Sequence, residues 1–127
     1  MITPPPQRLR LQPGTFVVER LPEGAAVGDG WVALVRAPDG LTVVRAAGPR
    51  DSGERWAALY GEESGHDLDV PGMLAAIVSP LASAAIPVFV ASTFRADLVF
   101  VPVERVSASA AALRAAGHHV EVPADLS

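Results

Sequence analysis

The chain has 127 residues, enough for one ordinary domain or two small modules sharing a core. Half of the residues are apolar and 19% are charged, so most of the chain is expected to fold. Cysteine is absent, which excludes disulfides, thiolate nucleophiles and cysteine-based zinc sites. The formal net charge is −4 and the ten positive residues, all arginines, are scattered, a pattern that argues against a nucleic-acid partner. Met1–Pro6 shows no signal-peptide pattern, and every apolar stretch falls short of the roughly 20 residues that span a bilayer. No membrane partner is expected, and a cytoplasmic location is the default.

In chain order, Arg8–Leu11 alternates polar and apolar residues and permits a short strand before the Pro13–Gly14 turn. Thr15–Arg20, with Phe16, Val17 and Val18, is a stronger strand. Leu21–Gly30 admits at most one helical turn among its glycines and proline. Trp31–Arg36 and Leu41–Ala46 form a predicted hairpin, because Ala37–Pro38–Asp39–Gly40 suits a chain reversal. Pro49–Gly53 is a polar break and marks the expected module boundary.

Arg55–Tyr60 is the next predicted strand, followed by an acidic, glycine-rich loop over Gly61–Asp69. A helix is predicted from Val70–Pro71–Gly72 to about Ala85, with Leu74, Ile77, Val78 and Leu81 on its buried face. Pro80 requires that helix to bend near Ala76 or to restart. Pro87–Ser92 and Ala96–Val101 are predicted strands joined by a short link. A second helix is expected over Val103–Ala116, with Val106, Ala110 and Leu113 inward, Gly117 as its C-terminal cap and His118–Val122 as a last strand.

From residue 55 the order is strand, helix, strand, strand, helix, strand. This is the ferredoxin-like βαββαβ pattern, an α+β fold with both helices on one face of an antiparallel sheet. The strands at 88–92 and 98–101 carry apolar side chains on both faces, so the other face needs a cover from the first half of the chain or another subunit.

Asp69–Val70–Pro71–Gly72–Met73–Leu74–Ala75 resembles the D-x-P-G-x-L-A opening of ACT domains. Ala85–Ile86–Pro87–Val88–Phe89 with Ser92–Thr93–Phe94 is similar to the G-I-x-V/I-F…S-T segment of the aspartokinase-like branch, and Asp97, Val99, Val101 and Leu113–His118 continue it. Ala85 stands where such relatives usually have glycine, Pro87 replaces a small polar residue, and Arg95–Ala96 replaces a small or acidic pair. The resemblance extends to small bacterial proteins pairing two ACT-like modules, distantly similar to animal arginine sensors. It implies an ACT domain over residues 55–123 and a degenerate ACT-like half-module over 8–50. It also implies a regulatory or sensor protein that binds a small effector, an amino acid, without catalysis or a cofactor, in a homodimer or other oligomer. The alternative is a structural or protein-interaction module with no small ligand.

The expected ligand-binding set is Asp67, Asp69, Gly72, Met73, Val88, Ser92, Thr93 and Arg95. A helix opening at Pro71 or Gly72 offers free N–H groups to an anionic group. Asp69 either caps that helix or meets a ligand ammonium, and Asp67 reads as solvated loop or as a second contact. Ser92 and Thr93 serve a ligand or satisfy the turn between two strands. Arg95 receives a carboxylate, pairs with Asp97 or stands at the surface. His66 with Asp67 and Asp69 is too sparse for a metal set, and adjacent His118 and His119 would point to opposite faces of a strand. No serine sits in a nucleophile elbow and Gly24, Gly28 and Gly30 do not form a dinucleotide fingerprint, so no catalytic residue is assigned. Trp31 and Trp56 are expected to pack in the core or between modules.

Overall fold

The structure, a computed structural model, describes residues 4–61 and 71–123. Its elements are β1 (Arg8–Leu11), β2 (Phe16–Leu21), β3 (Trp31–Ala37), β4 (Gly40–Ala46), β5 (Trp56–Gly61), α1 (Met73–Ser83), β6 (Phe89–Ser92), β7 (Asp97–Pro102), α2 (Val106–Ala115, preceded by a 3-10 turn at Val103–Arg105) and β8 (His119–Glu121). The chain is α+β, with an ACT-like βαββα core and additional N-terminal strands. The stretch between β2 and β3 is turn and loop without a helix.

Strand β7 pairs antiparallel with both β5 and β6. The other edge of β5 is shared. β1 lies against residues 59–61, and Phe16 at the start of β2 lies opposite Trp56. Beyond this point the sheet forks: β1 goes on to pair parallel with β8, while β2 continues through β4 to β3. β1 therefore sits inside the sheet, between β5 and β8. Residues from before and after the break at 49–53 thus build one sheet.

Alternation along each strand sorts side chains between two cores. On one face Ala57, Leu59, Val99 and Val101 join Leu9, Leu11 and Val120 beneath Ile77 and Leu81 of α1 and Val106, Ala110 and Leu113 of α2. Full burial of each large aliphatic residue there contributes about 1.5–3 kcal/mol. On the opposite face Ala58 and Phe100 pack with Phe89, Ala91 and Leu98, and β2, β3 and β4 cover them with Phe16, Val18, Ala33 and Val44. Phe100 takes edge-on contacts from Phe16 at 5.6 Å and Phe89 at 6.1 Å between ring centroids. The first half of the chain thus supplies the cover that the two-sided strands require.

The buried residues of α1 are Met73, Ile77 and Leu81, with Leu74 and Val78 at the margins of that stripe. The helix continues through Pro80 without restarting. Both helices end in the same way. Ile86 N–H donates to the Leu81 carbonyl after Ala85 at φ 59°, and His118 N–H donates to the Leu113 carbonyl after Gly117 at φ 100°. His118 is buried and His119 exposed, as opposite strand faces require. Trp56 joins the second core, but Trp31 is half exposed because β3 is the terminal strand of the sheet and packs on one side only.

Candidate binding site

β5 and β6 run in the same direction, so the end of β5, the start of α1, the end of β6 and the start of β7 share one end of the sheet. The β6–β7 turn there is built from hydroxyl groups. Thr93 Oγ1 donates to the Ala96 carbonyl at 2.7 Å and accepts from the Ala96 N–H at 3.0 Å and the Arg95 N–H at 3.3 Å. Tyr60 Oη lies 3.3 Å from the same oxygen, whose own proton is already committed. Ser92 Oγ donates to Asp97 Oδ1 at 2.7 Å. Side-chain bonding of this kind replaces the strand ladder where the chain reverses.

Gly72 precedes α1 with φ 86°; among the described residues no side chain caps the helix, and no acidic residue lies in its first turn. The opening amide groups of that helix carry the partial positive charge of its dipole. Met73 is buried and its carbonyl accepts from Gln7 Nε2 at 2.7 Å, tying the helix start to the segment before β1. A Cβ on Gly72 would lie 3.4 Å from Pro4 Cγ. Asp67 and Asp69, like His66, lie outside the described residues.

A cleft of about 380 Å³ opens on the face away from the helices, between β3 and β6. Its walls are apolar: Val35 and Val44 on one side, Phe89, Ala91 and Leu98 on the other, with Trp31 at the margin. Thr42, Ser92 and Thr93 supply its polar groups. A small set of polar groups in a mostly apolar concavity of this size is the usual make-up of a small-molecule site. Of the residues expected to bind ligand, Ser92 and Thr93 line it. Arg95 is exposed on the turn beside them, and Gly72 and Met73 lie at the same end of the sheet. Val88 stands apart, since it precedes β6 and packs on the helix-side core. At about 3.3 Å per residue it is roughly 13 Å along the strand from Ser92.

The β3 and β4 residues of the cleft were not part of the expected set. The available signal was that Trp31–Val35 is apolar along its length, as a strand facing a second layer would be. The strongest ion-pair cluster lies elsewhere, where Arg45 on β4 bridges Glu19 on β2 and Asp51 in the following loop, each at 2.8 Å. Hydrogen bonds from Arg45 and then the Gly48 N–H hold the Asp51 carboxyl well below the usual carboxylate range. Asp51 and Glu19 in turn raise Arg45 above its ordinary value. This cluster fastens the N-terminal strands to the link into β5.

Among solved structures, a protein of Agobacterium tumefaciens is 27% identical, covers 93% of this chain and 94% of its own, and superposes with a TM-score of 0.79. A Vibrio cholerae protein, described as of unknown function and as a possible transport protein, shares the fold. It is 24% identical with a TM-score of 0.69, covering 83% of this chain and 85% of its own. No curated protein matches the chain. No helix among the described residues is long and apolar enough to cross a membrane. The family model of the ACT domain matches residues 51–115, just over half of the sequence. The chain belongs to the ACT domain family.

Proposed function

We propose that the protein is a non-catalytic sensor that binds a free amino acid and reports its occupancy to a regulated target. The observation that carries this reading is the ACT domain itself, because such domains are small-molecule-binding regulatory modules. The helix start at Gly72 and the Ser92–Thr93 turn, which share one end of the sheet, support it as groups able to receive a zwitterion. Helix N–H groups suit the carboxylate, and Asp69 supplies the charge for the ammonium group. The motif resemblance assigns the domain to the aspartokinase-like branch and residues 8–50 to a degenerate second module of the same kind. A cytoplasmic location accompanies this reading.

A thermal-shift screen of the twenty amino acids tests it, because a ligand bound only by the folded state raises the melting temperature. Titration calorimetry of the stabilising amino acid with Asp69→Asn should then show about a ten- to hundredfold loss of affinity, the equivalent of one charge-assisted hydrogen bond. Melting should change much less, since the N-cap position of α1 is held by Gly72. No shift with any amino acid would reject the reading. It would favour a protein-interaction module without a small ligand, for which the exposed apolar strand β3 is the relevant observation.

A further inference from the structure

Consecutive prolines, Pro4–Pro6, precede β1, so the backbone N–H of Gln7 is the sole one that residues 4–7 can donate. It goes to His118 Nδ1 at 3.0 Å. The rest of Gln7 is engaged as well: its Nε2 donates to the Met73 carbonyl at 2.7 Å, and its carbonyl accepts from the His119 N–H at 2.9 Å. Gln7 and His118 are each 7% exposed. Beyond Gln7 the proline arm reaches the helix start, where Pro4 borders Gly72. The His118 ring fastens this arm to α1, since its other nitrogen, Nε2, lies 2.9 Å from the Ala76 carbonyl oxygen. An N–H donated to Nδ1 requires that nitrogen to carry no proton, so the contact exists only with the uncharged ring.

We propose that His118 is a pH-sensitive latch: a proton on Nδ1 turns an acceptor into a donor, sets it against the Gln7 N–H and releases residues 4–7 from the start of α1. Histidine is the side chain whose charge ordinarily changes between about pH 5 and 8. Among the described residues the surroundings offer the added charge no free counter-ion. α1 carries no ionisable side chain from Met73 to Ser83. The arm and β1 present Arg8 and Arg10, and the last turn of α2 presents Arg114, which donates to the Val120 carbonyl. β8 presents His119, exposed on the opposite strand face, and Glu121, already paired with Arg10. The arginines share the sign of the added charge. The released form therefore binds a proton that the latched form does not, so the latch holds above the histidine range and opens as the pH falls through it. The opening is local. The His119 N–H still holds the Gln7 carbonyl and β1 stays paired with β5, while the Met73 carbonyl loses the Gln7 amide and Pro4 leaves Gly72. The inference is independent of the effector reading, since it uses contacts within the chain alone.

Nuclear magnetic resonance of the full chain tests the latch. The sequence has three histidines, so His66→Asn with His119→Asn leaves His118 as the sole imidazole. At about pH 8 its ring should carry the proton on Nε2, and the Gln7 amide should be protected from hydrogen exchange. Acidification to about pH 5 should cut that protection, corrected for the intrinsic exchange rate, at least about tenfold, while the amides of β7 keep theirs. The midpoint of the loss should coincide with that of the His118 ring signals. His118→Ala should leave Gln7 unprotected at both pH values. Should this variant fail to fold by circular dichroism, the shared midpoint decides alone. Gln7 protection that is constant across the range, an equal loss in β7, or a midpoint different from that of the ring overturns the proposal.

Discussion

His118 Nε2 lies 2.9 Å from the carbonyl oxygen of Ala76, the acceptor that Pro80 leaves without its partner one turn along α1. The other ring nitrogen, Nδ1, accepts the backbone N–H of Gln7 at 3.0 Å. A carbonyl on one side and an amide donor on the other specify a neutral imidazole carrying its proton on Nε2. The ring thus replaces a missing helical hydrogen bond and joins α1 to the start of β1. His118→Ala should cost about 2–6 kcal/mol, because two backbone groups, one buried and one partly buried, lose partners at about 1–3 kcal/mol each. In a Pro80→Ala background the cost should be clearly smaller, since residue 80 then has an N–H for Ala76. Urea unfolding of the double-mutant cycle measures the difference, and strict additivity would reject the coupling.

Ala85 occupies the left-handed position after α1 that Gly117 occupies after α2. An L side chain is disfavoured there and glycine is not. Ala85→Gly should therefore raise stability by about 1 kcal/mol, and Gly117→Ala should lower it by a similar amount. Opposite shifts in the denaturation midpoints with unchanged m-values are the expected result; a destabilised Ala85→Gly protein would contradict it.

Asp51 titrates below its ordinary range in the folded state, chiefly through the Arg45 hydrogen bonds. A depressed carboxylate pKa stabilises the fold above the unfolded value, near 4, and that contribution disappears as the pH falls toward the folded value. Asp51→Asn should consequently destabilise the protein at neutral pH, and its melting temperature should converge on the wild-type value in acid. A gap between the two melting curves that is constant with pH would remove this carboxylate from the acid response.

Truncation to residue 53 onward should leave a poorly soluble or oligomeric fragment. It removes Leu9 and Leu11 from the helix-side core, β1 from between β5 and β8, and the cover over Phe100. Leu9→Ala in the full chain is a milder probe of the same contact and should cost about 2–5 kcal/mol. A monomeric fragment melting cooperatively at the full-length temperature would show that the two halves do not share a core.

Local geometry carried most of the legible information. The alternation in Ala57–Leu59 and Val99–Val101, the stripe Val106–Ala110–Leu113, the Pro38–Asp39 reversal and the Gly117 cap depend on a few neighbouring residues and on periods of 2 and 3.6. The ACT motif added the family and the order of the elements from 55 onward. The role of β1 was not legible, because Arg8–Leu11 is four residues whose alternation is compatible with any edge. Its insertion between β5 and β8 depends on residues more than a hundred positions away. The same holds for His118, whose acceptor is created by a proline on a different helix, and for the cleft, whose β3 wall is brought opposite β6 by the fork in the sheet. Sequence periodicity determines which face of an element turns inward, since that is a property of backbone geometry alone. Which element it meets is a free-energy difference summed over the whole chain, and only the tertiary structure decides it.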